Sequence, residues 1–356
     1  MNRDTVISVE EVVAKHFIKY DTLKLLVPYV YAGSTADHLN IYIDLYGMYH
    51  TLYSRQYMTT VNDYTSFTTL VINMCAHYRT YFKFLNVSTK FFLISSFNIP
   101  EFSVSQIPDY NKTMVEKLGN KYIGEMMELN LALLELICPY LPDIHFLKTQ
   151  FESSVLMNYL IDIEDQSVPS LIISTDIYPF QLCAEKDNVT LFWPRKVFGD
   201  DNSYAICNKT HPEHSKSFWG AIERKLGKSV SYKTVGSIST SNFVLLAALN
   251  RLPDRNLQTI VNVTRASNLI SALPGYREVR LTPDTLFELN QKGVKDLDYD
   301  TISKRYKVLD IHYQSLLFNE SLESKSIHYE NLNDPDAVQR INDKYFKDNP
   351  IDIFRL

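Results

Sequence analysis

Glycine is scarce in this chain, ten residues in 356. A backbone approaches a phosphate closely, or takes φ > 0 cheaply, mostly at glycine, so few such positions are on offer. No G-x-S-x-G elbow, glycine-rich phosphate loop or dinucleotide fingerprint is present. Cysteine is also sparse. Cys75, Cys138, Cys183 and Cys207 stand apart with no C-x-x-C pair, so a zinc site or disulfide framework is not expected, and buried reduced thiols are. Positive charge is not in excess. The net charge of −5 gives no general basic field, and any nucleic-acid contact needs a local patch. No apolar run reaches the roughly 18 residues of a membrane span. The first residues, Met1-Asn2-Arg3-Asp4-Thr5, lack a signal-peptide core, and no membrane partner is expected.

What is abundant is core material. Hydrophobic residues make up 45% of the chain, with 24 Tyr and 19 Phe. A sizeable core follows, and disorder does not. Apolar runs predict buried strands at Ile41–Asp44, Lys90–Ser96, Ser170–Ser174 and Val189–Trp193. Helical spacing predicts helices at 6–26, 64–84, 114–137, 151–163, 239–250 and 264–273, with a more polar end carrying an amphipathic segment in a tail. Strands alternating with helices predict an α/β fold, a central and mostly parallel sheet flanked by helices. Ligands in such sheets sit beyond the carboxyl ends of the strands, where Asp44, Ser95-Ser96 and Asp176 fall.

Several motifs carry a more specific reading. Ile43-Asp44-Leu45-Tyr46-Gly47 ends a strand in Asp and a turn. Ile107-Pro108-Asp109-Tyr110 keeps a Pro-acid-Tyr run. Glu152-Ser153-Ser154-Val155 opens a helix, and Ser174-Thr175-Asp176-Ile177-Tyr178 follows a buried strand. Leu245-Leu246-Ala247-Ala248-Leu249-Asn250-Arg251-Leu252-Pro253-Asp254 closes the set. In this order, over about 40–275, they resemble the flap endonuclease / 5′–3′ exonuclease family, phage type, whose PIN-like nuclease domain carries a helix–hairpin–helix module. The resemblance implies an N-terminal extension over 1–37, a PIN-like α/β domain over 38–214, a degenerate helix–hairpin–helix module over 215–275 and a C-terminal region and tail over 276–356.

It also implies losses. Of the family's carboxylates the chain keeps Asp44, Glu152, Asp176 and Asp254. Ser96, Ser154, Val155, Tyr178 and Arg251 stand at the other positions. The family's chemistry uses two divalent ions about 4 Å apart, whose repulsion of roughly 4 kcal/mol even in water the carboxylates offset. A depleted cluster holds at most a single Mg²⁺ at Asp44, Glu152 and Asp176. No cofactor is expected. Arg251 is expected to take the place of a cation beside Asp176 or Asp254. No glycine lies between Leu257 and Ala266, so gripping of a duplex phosphate by that hairpin is expected to be weak.

Lys112, Lys117 and Lys121, with Tyr110 and Tyr122 able to stack bases, and Arg224, Lys225 and Lys228 are candidate nucleic-acid contacts, weighed against ordinary solvated charge. His211 and His214, at i and i+3, lack a third ligand for a metal. Tyr178, Val155 and Leu156 are expected to make the old site an apolar cleft that binds protein. The favoured reading is a catalytically inactive, flap-endonuclease-like protein without nuclease chemistry. It would be an accessory or structural subunit of a phage-type replication, transcription or virion assembly, in host cytoplasm or virion, binding other subunits and in some versions nucleic acid. Two others stand beside it: an active Mg²⁺-dependent 5′ nuclease with a depleted site, and a non-catalytic DNA-binding factor.

Overall fold

The computed structural model describes residues 27, 37–54, 66–96, 101–110, 121–174, 176, 178–194, 204–208, 242–250, 257–276, 279–291, 297–329, 332, 334–347 and 351. Lys112, Lys117, His211, His214, Arg224, Lys225, Lys228, Arg251, Asp254 and the expected helix at 6–26 lie outside the described residues. The same holds for the side chains of Lys121 and Tyr122.

Strand β1 (His38–Asp44) is followed by helices α1 (Leu45–Ser54) and α2 (Ser66–Lys83), then β2 (Ser88–Ser96), α3 (Glu101–Gln106) and α4 (Lys121–Ile137). Next come β3 (Ile144–Thr149), α5 (Ser153–Ile163), β4 (Ser170–Ile173), α6 (Phe180–Glu185), β5 (Val189–Pro194) and β6 (Tyr204–Asn208). Six strands form one sheet in the order β3-β2-β1-β4-β5-β6, and all neighbours are parallel except β5 and β6. The expected α/β architecture is present.

The strand sequences explain why the sheet is buried on both faces. Successive side chains of a strand point to opposite faces. Ile41, Ile43, Phe91, Leu93, Leu171 and Ile173 enter one hydrophobic cluster, packed by α1, α2 and α4. Tyr42, Phe92, Ile94, Ile172 and Leu191 enter the other, beneath α5 and α6. A parallel sheet covered on both sides needs such near-continuous apolar runs. Tyr42 and Phe92 stack with ring centroids 5.0 Å apart.

Two strands were not expected from the sequence. β3 reads Ile-His-Phe-Leu-Lys-Thr and lies at the sheet edge, where Lys148 is exposed, so its apolar signal is diluted. It starts after Asp143, whose φ of 54° makes the turn. β6 is the short antiparallel strand at the other edge.

The C-terminal half also differs from expectation. After α7 (Phe243–Leu249) and α8 (Val263–Ser271) the chain forms α9 (Pro283–Gln291), α10 (Tyr299–Leu309), α11 (Ile311–Glu320), α12 (Leu322–Ser326) and α13 (Pro335–Tyr345). Asp298, Asp310 and Asp334 cap α10, α11 and α13, each carboxylate accepting a backbone N–H of the first turn. Ile302, Val308 and Phe318 are fully buried in the same cluster as Tyr42 and Ile172. Val338, Phe346 and Ile351 join the opposite cluster, so the expected tail is packed core here. Hydrophobic contact therefore crosses the limits drawn at 214 and 275. The four-part division stays a proposal about sequence units.

Arg305 ties these helices to the segment between α7 and α8. Its side chain is buried and its guanidinium donates to the carbonyls of Asn250, at 3.3 Å, and Gln258, at 2.6 Å. Arg305→Met keeps the stem but leaves both carbonyls without that donor. It is expected to cost about 2 kcal/mol, read as a lower urea midpoint with an unchanged slope.

Candidate active site

The strand order reverses at β1. β2 and β3 lie to one side and β4 and β5 to the other, so β1 and β4 open the crevice at a switch point. Asp44 is the last residue of β1, and Ser174 follows the last residue of β4. The Ser174 hydroxyl donates to Asp44 Oδ2 at 2.8 Å and accepts the backbone N–H of Asp176 at 2.9 Å. One serine thus ties the Asp44 carboxylate to the backbone of Asp176.

Asp44 is 5% exposed. Its Oδ1 accepts from the Ser153 hydroxyl at 3.2 Å and from the Gly47 N–H at 3.3 Å. Ser96 stands 2.9 Å from Ser153 and donates to it, since the Ser153 proton is committed to Asp44. Burial pushes the Asp44 carboxyl up to about 6, and the negative charge of Asp176 adds to this. The Ser174, Gly47 and Ser153 hydrogen bonds oppose the shift without cancelling it. Asp176 is partly exposed, so the pair opens toward solvent on its side.

Glu152 is held separately. It precedes α5 at its N-cap position, with no side-chain capping bond, and its Oε1 accepts from the Tyr110 phenol at 3.1 Å. Tyr110 is also 2.7 Å from the Tyr178 hydroxyl, which donates to it. Both phenols are buried.

Several expectations change here. Tyr110 was expected to stack bases, but its ring is enclosed and its hydroxyl serves Glu152. Tyr178, Val155 and Leu156 were expected to line an apolar cleft for a protein partner. All three are core residues, at 2%, 0% and 0% exposure. Ser154 is buried beside them, and Ser96 joins the hydroxyl chain to Asp44. The expected pairing of Arg251 with Asp176 or Asp254 lies outside the described residues. Ser153 and Ser174 organise the site, and sequence reasoning gave them no role, because a hydroxyl in a motif carries no mark of what it will touch.

Among the described residues, no group of three or more His, Cys, Asp or Glu side chains could hold a metal ion. Asp44, Glu152 and Asp176 are therefore not a shared ligand set. The Asp44–Asp176 pair still fits one magnesium-type cation, which asks for one or two carboxylates and completes its shell with water.

No protein-family model matches the chain, and no curated protein matches it. Solved structures do. The chain is similar to the 5′-exonuclease of bacteriophage T5 with bound zinc, at 15% identity and a TM-score of 0.49, covering 87% of this chain and 97% of that one. It is similar to human GEN1 in complex with Holliday junction DNA, at 12% identity and a TM-score of 0.45, covering 92% and 73%. It is also similar to the catalytic core of Rad2 in complex with DNA substrate, at 11% identity and a TM-score of 0.39, covering 87% of each. The likeness in fold is to flap endonuclease and 5′-exonuclease structures, and the chain's own mostly parallel sheet is flanked by helices as the α/β expectation requires. The expectation that it is not an enzyme finds no support in these likenesses, which are to a 5′-exonuclease and to a catalytic core. No helix among the described residues is long and apolar enough to cross a membrane.

Proposed function

We propose that the protein is a nuclease acting on nucleic acid, with one divalent cation held by Asp44 and Asp176. The observation that carries this reading is the Ser174 hydroxyl at the switch point of the sheet, which holds the Asp44 carboxylate and the Asp176 backbone side by side. A divalent cation bound there supplies Lewis acidity toward a phosphate oxygen and acidifies a bound water. The chain's own residues do the rest. Ser174, Ser153 and the Gly47 N–H hold the Asp44 carboxylate in one orientation. Tyr110 and Tyr178 keep Glu152 fixed at the start of α5. Apolar burial of Asp44 strengthens its attraction for a cation relative to a solvated carboxylate.

The test is cleavage of a labelled 5′-flap DNA with Mg²⁺ or Mn²⁺, beside Asp176→Ala. The wild type is expected to cleave, and the variant to lose at least about a hundredfold, the scale of removing one electrostatic stabiliser. Thermal unfolding gives a second readout. Millimolar Mg²⁺ is expected to raise the melting temperature of the wild type and not of Asp176→Ala. No cleavage and no Mg²⁺-dependent shift would remove the reading.

A further inference from the structure

The edge of the sheet at β3 is unpaired among the described residues, and its ladder says which groups are left over. The Phe91 N–H donates to the Asp143 carbonyl at 2.8 Å, and Phe91 is in register with Ile144. In a parallel ladder each residue turns its N–H and C=O to one side, and alternate residues turn to opposite sides. Asp143, His145 and Leu147 therefore face β2, while Ile144, Phe146 and Lys148 turn their peptide groups outward. Among the described residues no group hydrogen-bonds to these outward N–H and C=O groups. A row of such groups is a template for a further strand.

Two walls turn this edge into the floor of a groove. A cavity of about 280 Å³ follows β3 from Ile144 to Lys148. One wall is the end of α4 with the short turn after it, from Glu135 to Pro139, on the sheet face of Ile144 and Phe146. The other is the stretch from Glu323 to Tyr329, on the face of His145. Both walls are fixed in place. The Tyr329 ring lies 4.6 Å from the His145 ring between centroids, and its hydroxyl donates to Glu164 at 3.1 Å. The Leu332 N–H donates to the Pro139 carbonyl at 2.6 Å and ties the chain beyond the second wall to the first.

The lining decides what can add to the edge. Glu135 and Glu323 stand against a single Lys148, which pairs with Glu135. Glu323 accepts the Gln150 N–H at 3.3 Å and, being partly exposed, keeps lone pairs for a further donor. His145 brings no positive charge at neutral pH, because burial and the nearby Lys90 ammonium push it down to about 4. The groove is therefore negative and repels a phosphate backbone. A helix keeps its peptide groups bonded within itself and leaves the edge unsatisfied. A second copy brings its own walls, which meet before the two edges can pair. We infer that β3 receives an extended segment of a partner protein, apolar at alternate positions and carrying a Lys or Arg that meets Glu323. About five residues at roughly 3.3 Å each match Ile144–Lys148. Their side chains alternate between an apolar wall at Pro139 and Phe146 and an aromatic one at His145 and Tyr329. None of these residues belongs to the candidate active site, so the inference stands apart from the nuclease reading.

The probe is a displayed library of short random peptides, selected on the full-length protein and then resynthesised with a fluorescent label for anisotropy. The selected sequences are expected to share alternating apolar positions and a Lys or Arg. N-methylation of the amides that face β3 is expected to weaken binding about tenfold each, and methylation of the intervening amides to leave it unchanged. On the protein side, Lys148→Pro removes one outward N–H and no bond to β2, and an edge strand tolerates proline. It is expected to bind about tenfold more weakly, while Lys148→Ala, which frees Glu135 for a basic peptide, binds at least as tightly as the wild type. Urea midpoints report whether each variant is folded, and the methylated series is read on the wild type alone. Failure to select any peptide, an acidic consensus, or equal affinities along the methylated series would overturn the inference. So would displacement of the peptide by a single-stranded oligonucleotide, or by a dimer of this chain that forms as its concentration rises.

Discussion

Asp44→Asn is expected to stabilise the protein at pH 7 by up to about 3 kcal/mol and to abolish cleavage at the same time. The Asp44 carboxyl sits near 6 in the folded state against an ordinary 3.8, and that gap corresponds to about 3 kcal/mol. The sign follows from proton binding. Between about pH 4 and pH 6 the folded protein holds a proton on Asp44 that the unfolded chain has released. The stabilising contribution is therefore full below the unfolded value and is lost as pH rises through the folded one. Asparagine keeps the shape and carries no charge. Its amide oxygen can accept from Ser153 and Gly47 where Oδ1 does now, and its NH₂ can donate to a rotated Ser174 hydroxyl. Urea titrations at pH 4, 5, 6 and 7 check this. The wild type should lose stability across the window, and the difference between the two proteins should grow with pH. Parallel curves would mean that Asp44 titrates as a solvated carboxyl. Millimolar Mg²⁺ should narrow the gap at pH 7, because a cation beside Asp44 and Asp176 replaces the missing positive charge.

The opposition between stability and chemistry in this one residue bears on why parts of the molecule were legible in the sequence. β1, β2, β4 and β5 were legible because strands buried on both faces must be apolar almost throughout. Asp44 and Asp176 stood out because a carboxylate directly after such a run has no packing reason to be there. β3 was not legible. As an edge strand it exposes Lys148 to solvent, and the composition of a six-residue edge does not differ from that of a loop. The C-terminal helices were hidden by averaging. α10 buries Ile302, Val308 and Leu309 on one stripe while its other faces carry Lys304 and Lys307, so mean polarity looks like a tail. Its cap, Asp298 three residues before Thr301, was written in the sequence and would have marked the start. The serines of the site carried no comparable mark. Ser153 and Ser174 lie in different motifs, and only the parallel pairing of β1 with β4, together with the placement of α5, brings both to Asp44.

Tyr178 shows how a motif read in one dimension can misplace a side chain, and the second large effect is predicted there. The sequence aligns it with a missing carboxylate, which suggests that Tyr178→Asp would restore a metal ligand. The fold gives the opposite result. Tyr178 is 2% exposed, clustered with Phe180 and Leu182, and its hydroxyl is 2.7 Å from that of Tyr110. An aspartate there removes a large ring from the core and puts a charge among apolar groups next to Glu152. Each change alone is worth about 3–5 kcal/mol in a packed interior. Protonation of the new carboxyl would recover part of the second cost, so the expected loss is about 4 kcal/mol or more, with lower activity. Tyr178→Phe is the control. It keeps the ring and removes one donor from Tyr110, while Tyr110 still donates to Glu152, and it should cost only about 1 kcal/mol. Urea denaturation of the three proteins at pH 7 separates the two views. A stable Tyr178→Asp protein with raised Mg²⁺-dependent cleavage would show that this side chain faces the cation and that the packing described here is wrong at that point.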